Sequence, residues 1–165
     1  MQRIVGKKFH CISRAVDMLC LFLGEDYVIT SHRGKRIDVA EYSLHVQTLW
    51  NVREDDIVLL TAENIYEPYC ENAPADWQYD LIERPDEISS VFDVKAKKLN
   101  AKMQNTVVVE CALSAQDNLM ITFSNGVIFE LVMPAAGDEE AWRLIDYKND
   151  VHIVCSQDGN ITAEA

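Results

Sequence analysis

The side chains in this sequence that are best suited to catalysis or metal binding belong to four histidines and five cysteines. His10 and Cys11 could act as base and nucleophile only if their side chains met, but neighbours in a strand point to opposite faces. His45 and His152 are each flanked by apolar residues, which is typical of the outward side of half-buried strands. The residues therefore predict no catalytic or metal site, and a pair formed by His45 and His152 would depend on the fold.

The cysteines are odd in number, widely spaced and without a C-x-x-C motif. Most lie in strand-like apolar runs, which predicts small, reduced core thiols rather than a disulfide framework. The longest apolar run, residues 18–23, is far shorter than the roughly 20 residues that a membrane helix needs, and it is too far along the chain for a signal peptide. We therefore expect a cytoplasmic protein. The five positions are Cys11, Cys20, Cys70, Cys111 and Cys155.

Motif searches give no support for an enzyme. The dinucleotide, P-loop, hydrolase-elbow and zincin signatures do not occur. The carboxylates of residues 54–56 are most simply a charged turn, and those of 138–140 a helix start. Residues 158–160 have a glycine turn but lack the alternating oxygen ligands of a calcium loop. We expect no enzyme, no metal and no cofactor.

Charge is the strongest signal in the sequence, because acidic and basic residues are concentrated in different parts of the chain. The acidic stretch, residues 54–94, contains twelve acids and a single base, Arg84, in a chain of net charge −12. At a pI near 4.6 the protein repels phosphate, so neither nucleic acid nor an anionic membrane is expected as a partner. A basic protein is the complementary partner.

Large aromatic rings interrupt the acidic stretch, and solvated spacers usually lack them. Tyr and Trp are enriched at binding hot spots, and an acidic rim around them would hold a basic partner. A solvated, soluble surface is the competing interpretation. The rings are Tyr66, Tyr69, Trp77, Tyr79 and Phe92. The predicted partner-binding residues are Glu67, Glu71, Asp76, Trp77, Tyr79, Asp80, Glu83, Asp86 and Glu87.

Alternating apolar residues predict the scaffold that positions this surface. The runs 119–123 and 127–131 are joined by a three-residue loop ending in Gly126, which can adopt the positive φ of a bulge. In that register Ile121 faces Phe129, and one side of the hairpin is wholly apolar. A two-residue turn would bring a charged residue opposite an apolar one, so the longer loop is favoured.

Further strands complete the predicted scaffold, with a turn at Gly24-Glu25-Asp26. Residues 67–91 contain three prolines and predict a long surface loop. The fold class is α+β: a single domain over residues 1–165, with a mostly antiparallel twisted sheet, a meander, and one or two short helices. The strands are predicted at 8–13, 18–23, 27–31, 36–39, 42–50, 57–61, 106–113 and 151–155, with a short one after 158–160.

Two segments predict helices. The first follows the acidic stretch, with Asp93 as its N-cap and lysines opposite its apolar face. The second covers residues 138–145, where acids lead and Arg143 trails, as the helix dipole favours. The apolar face of the first helix is formed by Phe92, Ala96, Leu99 and Met103.

Several short runs give the chain a family resemblance. It resembles a family of small bacterial proteins, some of which are similar to immunity proteins of contact-dependent growth inhibition and related polymorphic toxin systems. The runs are Arg14-Ala15-Val16-Asp17-Met18, Leu44-His45-Val46-Gln47, Asn64-Ile65-Tyr66-Glu67-Pro68, Phe92-Asp93, Trp142-Arg143-Leu144 and His152-Ile153-Val154.

The resemblance implies a small, cytosolic, acidic protein that neutralises one cognate toxin domain, commonly a nuclease. Such proteins cover the toxin's active site or its substrate surface, and the role brings no catalytic residues with it. Two alternatives stay open. One is an enzyme or small-ligand domain with a site assembled from Arg14, Asp17, His45 and Trp142, and the other is a regulatory subunit that binds an ordinary cellular protein.

Overall fold

The computed structural model describes residues 2–30, 33–80, 88–114, 118–133 and 137–164. Within these ranges the chain forms eleven strands, one α-helix and two short 3₁₀ turns, at Gln2–Ile4 and Ala62–Ile65. The helix is α1, Val91–Lys102. The strands are β1 (Phe9–Ala15), β2 (Met18–Thr30), β3 (Arg36–Val46), β4 (Leu49–Glu54), β5 (Ile57–Thr61), β6 (Val108–Leu113), β7 (Leu119–Phe123), β8 (Val127–Val132), β9 (Glu140–Asp146), β10 (Val151–Ser156) and β11 (Ile161–Glu164).

The strands form two sheets rather than the single sheet that was predicted. One has six strands in the order β1-β2-β3-β9-β10-β11, and the other has five in the order β5-β4-β8-β7-β6. Every pair of neighbouring strands is antiparallel. The predicted α+β class with mostly antiparallel strands is therefore confirmed, and β6, β7 and β8 form the predicted meander.

Buried side chains from both sheets and from α1 form one hydrophobic cluster. Trp50 of β4 links its parts, since its ring packs edge-on to Phe92 of α1 at 5.9 Å and stacks on Phe129 of β8 at 6.0 Å between centroids. The helix also packs against β1 of the larger sheet and β5 of the smaller one. Burial of aromatic rings at these contacts is what holds α1 against the strands.

The β7–β8 hairpin has the predicted register. Ile121 pairs with Phe129 and Leu119 with Leu131, so large apolar side chains share one face. Gly126 adopts a φ of +86°, in the left-handed region that favours glycine. Alternation of apolar residues on both strands fixed this register, because a shift by one residue would expose them all.

Helix α1 begins at Val91, and its N-cap is Ser90 rather than the predicted Asp93. The Ser90 hydroxyl accepts a hydrogen bond from the Asp93 backbone N–H (3.2 Å), and the Asp93 carboxylate accepts one from the Ser90 backbone N–H (3.2 Å). The two residues form a capping box in which Asp93 is the third helical residue. The predicted apolar face is confirmed, since Phe92, Ala96, Leu99 and Met103 are all buried.

The predicted second helix is wrong, because residues 140–146 form strand β9. This strand lies between β3 and β10, inside the larger sheet. All of its residues but Glu140 and Arg143 are buried. A strand buried on both faces lacks the alternation that identifies a strand in sequence, which explains the error.

The predicted turn at Gly24 is also wrong, because β2 continues through it to Thr30. The pairing of β2 with β3 shifts between Leu23 and Asp26, as expected of a bulge. Gly24 has a φ of +92°, and a Cβ atom there would lie 2.7 Å from the Cβ of Glu41. Glycine is therefore required for the bulge and for the close approach of Glu41, not for a chain reversal.

Candidate protein-binding surface

The acidic loop, defined as residues 67–80, leaves the second 3₁₀ turn and returns towards α1. It contains no helix or strand, as predicted for this region. Its base is closed by backbone hydrogen bonds from Val91 N to Glu67 O (2.8 Å) and from Tyr69 N to Ser89 O (2.9 Å). The start of the loop is therefore held against the residues that lead into α1.

Arg14 of β1 fastens the far end of the loop to the body of the protein. Its Nε and Nη2 donate to the two Asp93 carboxylate oxygens, both at 2.9 Å, and Nη2 also donates to the Tyr79 carbonyl at 2.8 Å. The Arg14 side chain is only 5% exposed. Burial raises the pKa of the Asp93 carboxyl, but hydrogen bonds from Arg14 and Ser90 outweigh it and hold that pKa below its ordinary 3.8. Arg14 is a structural clamp.

Two of the predicted binding residues, Trp77 and Tyr79, hold the loop together. Trp77 is half-buried and donates from Nε1 to the Ile88 carbonyl at 2.8 Å. Tyr79 packs against the hydrophobic cluster and lies edge-on to Tyr66, with 4.8 Å between ring centroids. The most exposed aromatic side chains here are instead Tyr66 (51%) and Tyr69 (55%). Neither was in the predicted binding set, because sequence does not distinguish rings that brace a loop from rings that face solvent.

Most carboxylates of the acidic loop face solvent. Glu67 accepts a hydrogen bond from Asn64 Nδ2 at 3.0 Å. Glu71, Asp76 and Asp80 are exposed, and among the described residues no lysine, arginine or histidine forms an ion pair with them. The loop itself contains no base. The remaining predicted binding residues, Glu83, Asp86 and Glu87, lie outside the described residues.

The rest of the acidic stretch is not one surface. Glu54 forms an ion pair with Lys102 of α1 at 2.5 Å, and Asp93 is held by Arg14. Phe92 is buried in the core. Of the acidic stretch, the acidic loop and the residues around it are therefore the candidate protein-binding surface, while the exposed Asp55 and Asp56 lie apart from it at the β4–β5 turn.

His45 and His152 are brought into one group on the larger sheet by Arg143. Arg143 pairs with His45 across β3 and β9, and its Nη1 donates to His152 Nδ1 at 3.0 Å. Its other contacts are Glu140, at 2.7 Å, and Glu164, at 3.4 Å. We call Glu140, Arg143, His152 and Glu164 the Arg143 cluster. Burial lowers the pKa of His45 from its ordinary 6.5, Glu140 opposes that shift, and Arg143 and His152 add to it.

The arrangement of these groups does not match a metal centre. Within the described ranges, no group of three or more His, Cys, Asp or Glu side chains is placed to hold a metal ion. The five cysteines are free thiols, and burial raises the pKa of Cys111 to about 11, which disfavours the reactive thiolate. His10 Nδ1 lies 3.8 Å from Asp26 Oδ1.

Two surface depressions test the alternative of a site built from Arg14, Asp17, His45 and Trp142. One, of about 350 Å³, contains Asp17, and the other, of about 530 Å³ between β1 and α1, contains Arg14. Trp142 is buried in the core, and His45 is half-buried on β3, where it pairs with Arg143 of β9. Neither depression contains more than one of the four residues.

Comparison with known proteins finds no relative of this chain. The chain matches no family model, no curated protein and no solved structure. In the described ranges no helix is both long enough and apolar enough to cross a membrane.

Proposed function

We propose that this protein is an immunity protein that binds and neutralises a cognate basic toxin domain of the nuclease type, with the acidic loop as its docking surface. The observation that carries the proposal is a loop closed at its base, clamped by Arg14, that exposes Glu71, Asp76 and Asp80 without an internal cation. Two exposed tyrosines lie beside these acids. Aromatic anchors with a charged rim are the common composition of binding hot spots.

The proposed mechanism is steric and electrostatic. A nuclease binds its substrate through lysines and arginines that contact phosphates. The carboxylates of the acidic loop take the place of those phosphates and cover the surface on which nucleic acid would lie. Long-range attraction between an acidic protein and a basic partner makes association fast and sensitive to salt. The protein would act in the bacterial cytoplasm, where the nucleic acid is.

The fixed geometry of the loop supports a rigid docking surface. Because the clamp, the base and the Trp77 hydrogen bond already order the loop in the free protein, binding requires little additional ordering of the backbone. A preorganised surface loses less conformational entropy on association than a flexible one. Affinity can then come from a few exposed side chains.

Growth rescue tests the proposal. Where a large secreted-toxin gene lies immediately upstream, its C-terminal domain is the probe, expressed in cells with the wild-type protein or with the variant E71K/D76K/D80K. We expect the wild type to restore growth and the variant to fail, with an association rate at low salt reduced about tenfold or more. The matched control is D56K/E110K/D138K, which changes the charge equally at exposed positions outside the loop.

Two results would overturn this proposal. The first is a wild-type protein that does not protect against that domain, or a neighbourhood of metabolic genes in place of a toxin gene. The second is an E71K/D76K/D80K protein that remains folded, by circular dichroism, and that associates and protects like the wild type. Equal losses in both triple variants would assign the effect to net charge and would also remove the loop from the interface.

A further inference from the structure

A depression of about 350 Å³ opens beside the acidic loop, where the ends of both sheets meet. It is formed by the β1–β2 turn, the β3–β4 connection, the second 3₁₀ turn and the β10–β11 turn. Its volume is at the small end of protein ligand pockets, which span about 300–1,000 Å³. A depression of this size can hold one extended side chain.

Apolar side chains form part of the floor and walls of this depression. Trp50 (3% exposed) and Ile65 (1% exposed) lie at its base, while Leu49 (58%) and Tyr66 (51%) stand at its sides, open to solvent. A wall in which a leucine and a tyrosine ring are half or more exposed has apolar area that a partner could cover. Gln47, Thr48 and Gln157 supply polar groups at the rim.

Asp17 is the only charged residue among the described residues that line the depression. The Tyr66 hydroxyl donates a hydrogen bond to Asp17 Oδ2 at 3.4 Å. The carboxylate therefore lies beside the Tyr66 side chain. A single carboxylate beside an aromatic ring and aliphatic walls complements a cation on an apolar stem. A cation gains most from that carboxylate, since a neutral donor gains only a hydrogen bond and an anion is repelled.

Arginine fits this chemistry better than lysine. Its planar guanidinium can stack on the face of a tyrosine ring and donate two parallel hydrogen bonds to one carboxylate, while its methylene groups lie on apolar walls. A lysine ammonium is a compact, strongly hydrated charge that cannot stack in this way.

We infer that the depression bounded by Asp17, Leu49 and Tyr66 is a receptor pocket for a single arginine side chain of the partner. The inference deepens the proposed function, because it adds a specific anchoring contact beside the acidic loop. An arginine side chain is the occupant that the single carboxylate and the exposed apolar walls complement best. The acidic loop would supply long-range attraction and the pocket would supply the fixed register.

Titration with N-acetyl-arginine amide, followed by amide ¹H–¹⁵N NMR spectra, tests the pocket without any toxin. We expect saturable shifts at the backbone amides of Asp17, Leu49 and Tyr66, with a dissociation constant of about 1–10 mM. Loss of a hydrogen-bonded charge should weaken binding about tenfold in Asp17→Asn, and loss of the stacking wall should weaken it severalfold in Tyr66→Ala. The same spectra report whether each variant is folded.

Three comparisons, one with a variant protein and two with other ligands, test the specificity of binding. Asp56→Asn, a like change at the exposed β4–β5 turn, should bind as the wild type does. N-acetyl-lysine amide should bind more weakly than the arginine probe, and N-acetyl-norleucine amide more weakly still. Absent saturation at these amides, wild-type affinity in Asp17→Asn, or a lysine or norleucine probe that binds as tightly as the arginine probe would overturn the inference. Because growth rescue is scored separately, failure of the pocket and failure of the immunity role are distinguishable.

Discussion

The acidic loop and the Arg143 cluster are both rich in charge, but they use it differently. In the cluster, Arg143 contacts Glu140 at 2.7 Å, His152 at 3.0 Å and Glu164 at 3.4 Å, so that one cation is shared by three neighbours on three strands. In the acidic loop, Glu71, Asp76 and Asp80 contact no described cation. Charges in the first region join strands to one another, while those in the second are left to solvent.

This difference separates charge that maintains the fold from charge that is available for binding. A half-buried, hydrogen-bonded ion pair resists removal of either partner, because the other partner is left without compensation. An exposed, unpaired carboxylate contributes little to folding, and crowding several together opposes it slightly. Removing a paired charge should therefore lower the free energy of unfolding, whereas removing an unpaired charge should change it little.

The largest loss of stability is expected where the acidic loop is attached to the fold. Asp93→Asn leaves the Arg14 guanidinium, 5% exposed, without its carboxylate and weakens the capping box of α1. Because Asp93 itself is 36% exposed, we expect a loss of about 2–3 kcal/mol in the free energy of unfolding, below the full cost for a buried pair. Urea denaturation measures it.

The matched control for this change is Glu54→Gln, which breaks the more exposed pair with Lys102. Its expected cost is below about 1 kcal/mol. If both variants lost the same amount, Arg14 would not be a structural clamp, and the attachment of the loop would have to depend on its backbone hydrogen bonds.

An intermediate effect is expected for pH in the region of the Arg143 cluster. The pKa of His45 is lowered in the folded protein, so below about pH 6.5 the unfolded chain binds a proton that the folded chain does not. Stability should therefore fall as the pH decreases from 7 towards 5.5, and this part of the slope should be reduced in His45→Gln. Chemical denaturation at a series of pH values measures the slope, and identical slopes in the two proteins would contradict the assignment.

At lower pH a second loss of stability should follow from the carboxylates. Hydrogen bonds from Arg143 lower the pKa of Glu140, against the effect of burial, and the pKa of Asp93 is lowered as well. A carboxylate with a depressed pKa stabilises the fold above its unfolded value, and that contribution is lost as the pH falls through the folded value. For Glu140 and Asp93, the loss of stability at low pH therefore comes from carboxylates that are paired with an arginine.

The smallest effect on stability is expected from reversing the unpaired charges. E71K/D76K/D80K should change the free energy of unfolding by no more than about 0.5 kcal/mol, since the residues are exposed and the net charge of −12 is reduced. A single Glu140→Lys should cost more, about 1–2 kcal/mol, because it places a second cation beside Arg143. Thermal or urea denaturation of the two variants compares them directly, and the reverse order would remove the distinction between the two regions.

The local parts of the fold could be predicted from sequence because they depend on neighbours in the chain. The β7–β8 register follows from alternating apolar residues and a three-residue loop, and the buried face of α1 follows from helical spacing. Strand β9 could not be predicted, because burial on both sides removes its periodicity. Gly24 was misassigned because a bulge and a turn both favour glycine.

The sequence alone determined the net charge, the position of the acids along the chain and the local periodicity of the strands and helix. Which of these acids are neutralised depends on contacts made in the folded protein. The partners of Asp93 and Glu54 are Arg14 and Lys102, 79 and 48 residues away, and the pocket beside Tyr66 combines segments that are more than 100 residues apart, as Asp17 and Gln157 are. The packing of the two sheets and the helix determines these contacts. An ion pair depends on the distance between its charges in space and not on their separation along the chain.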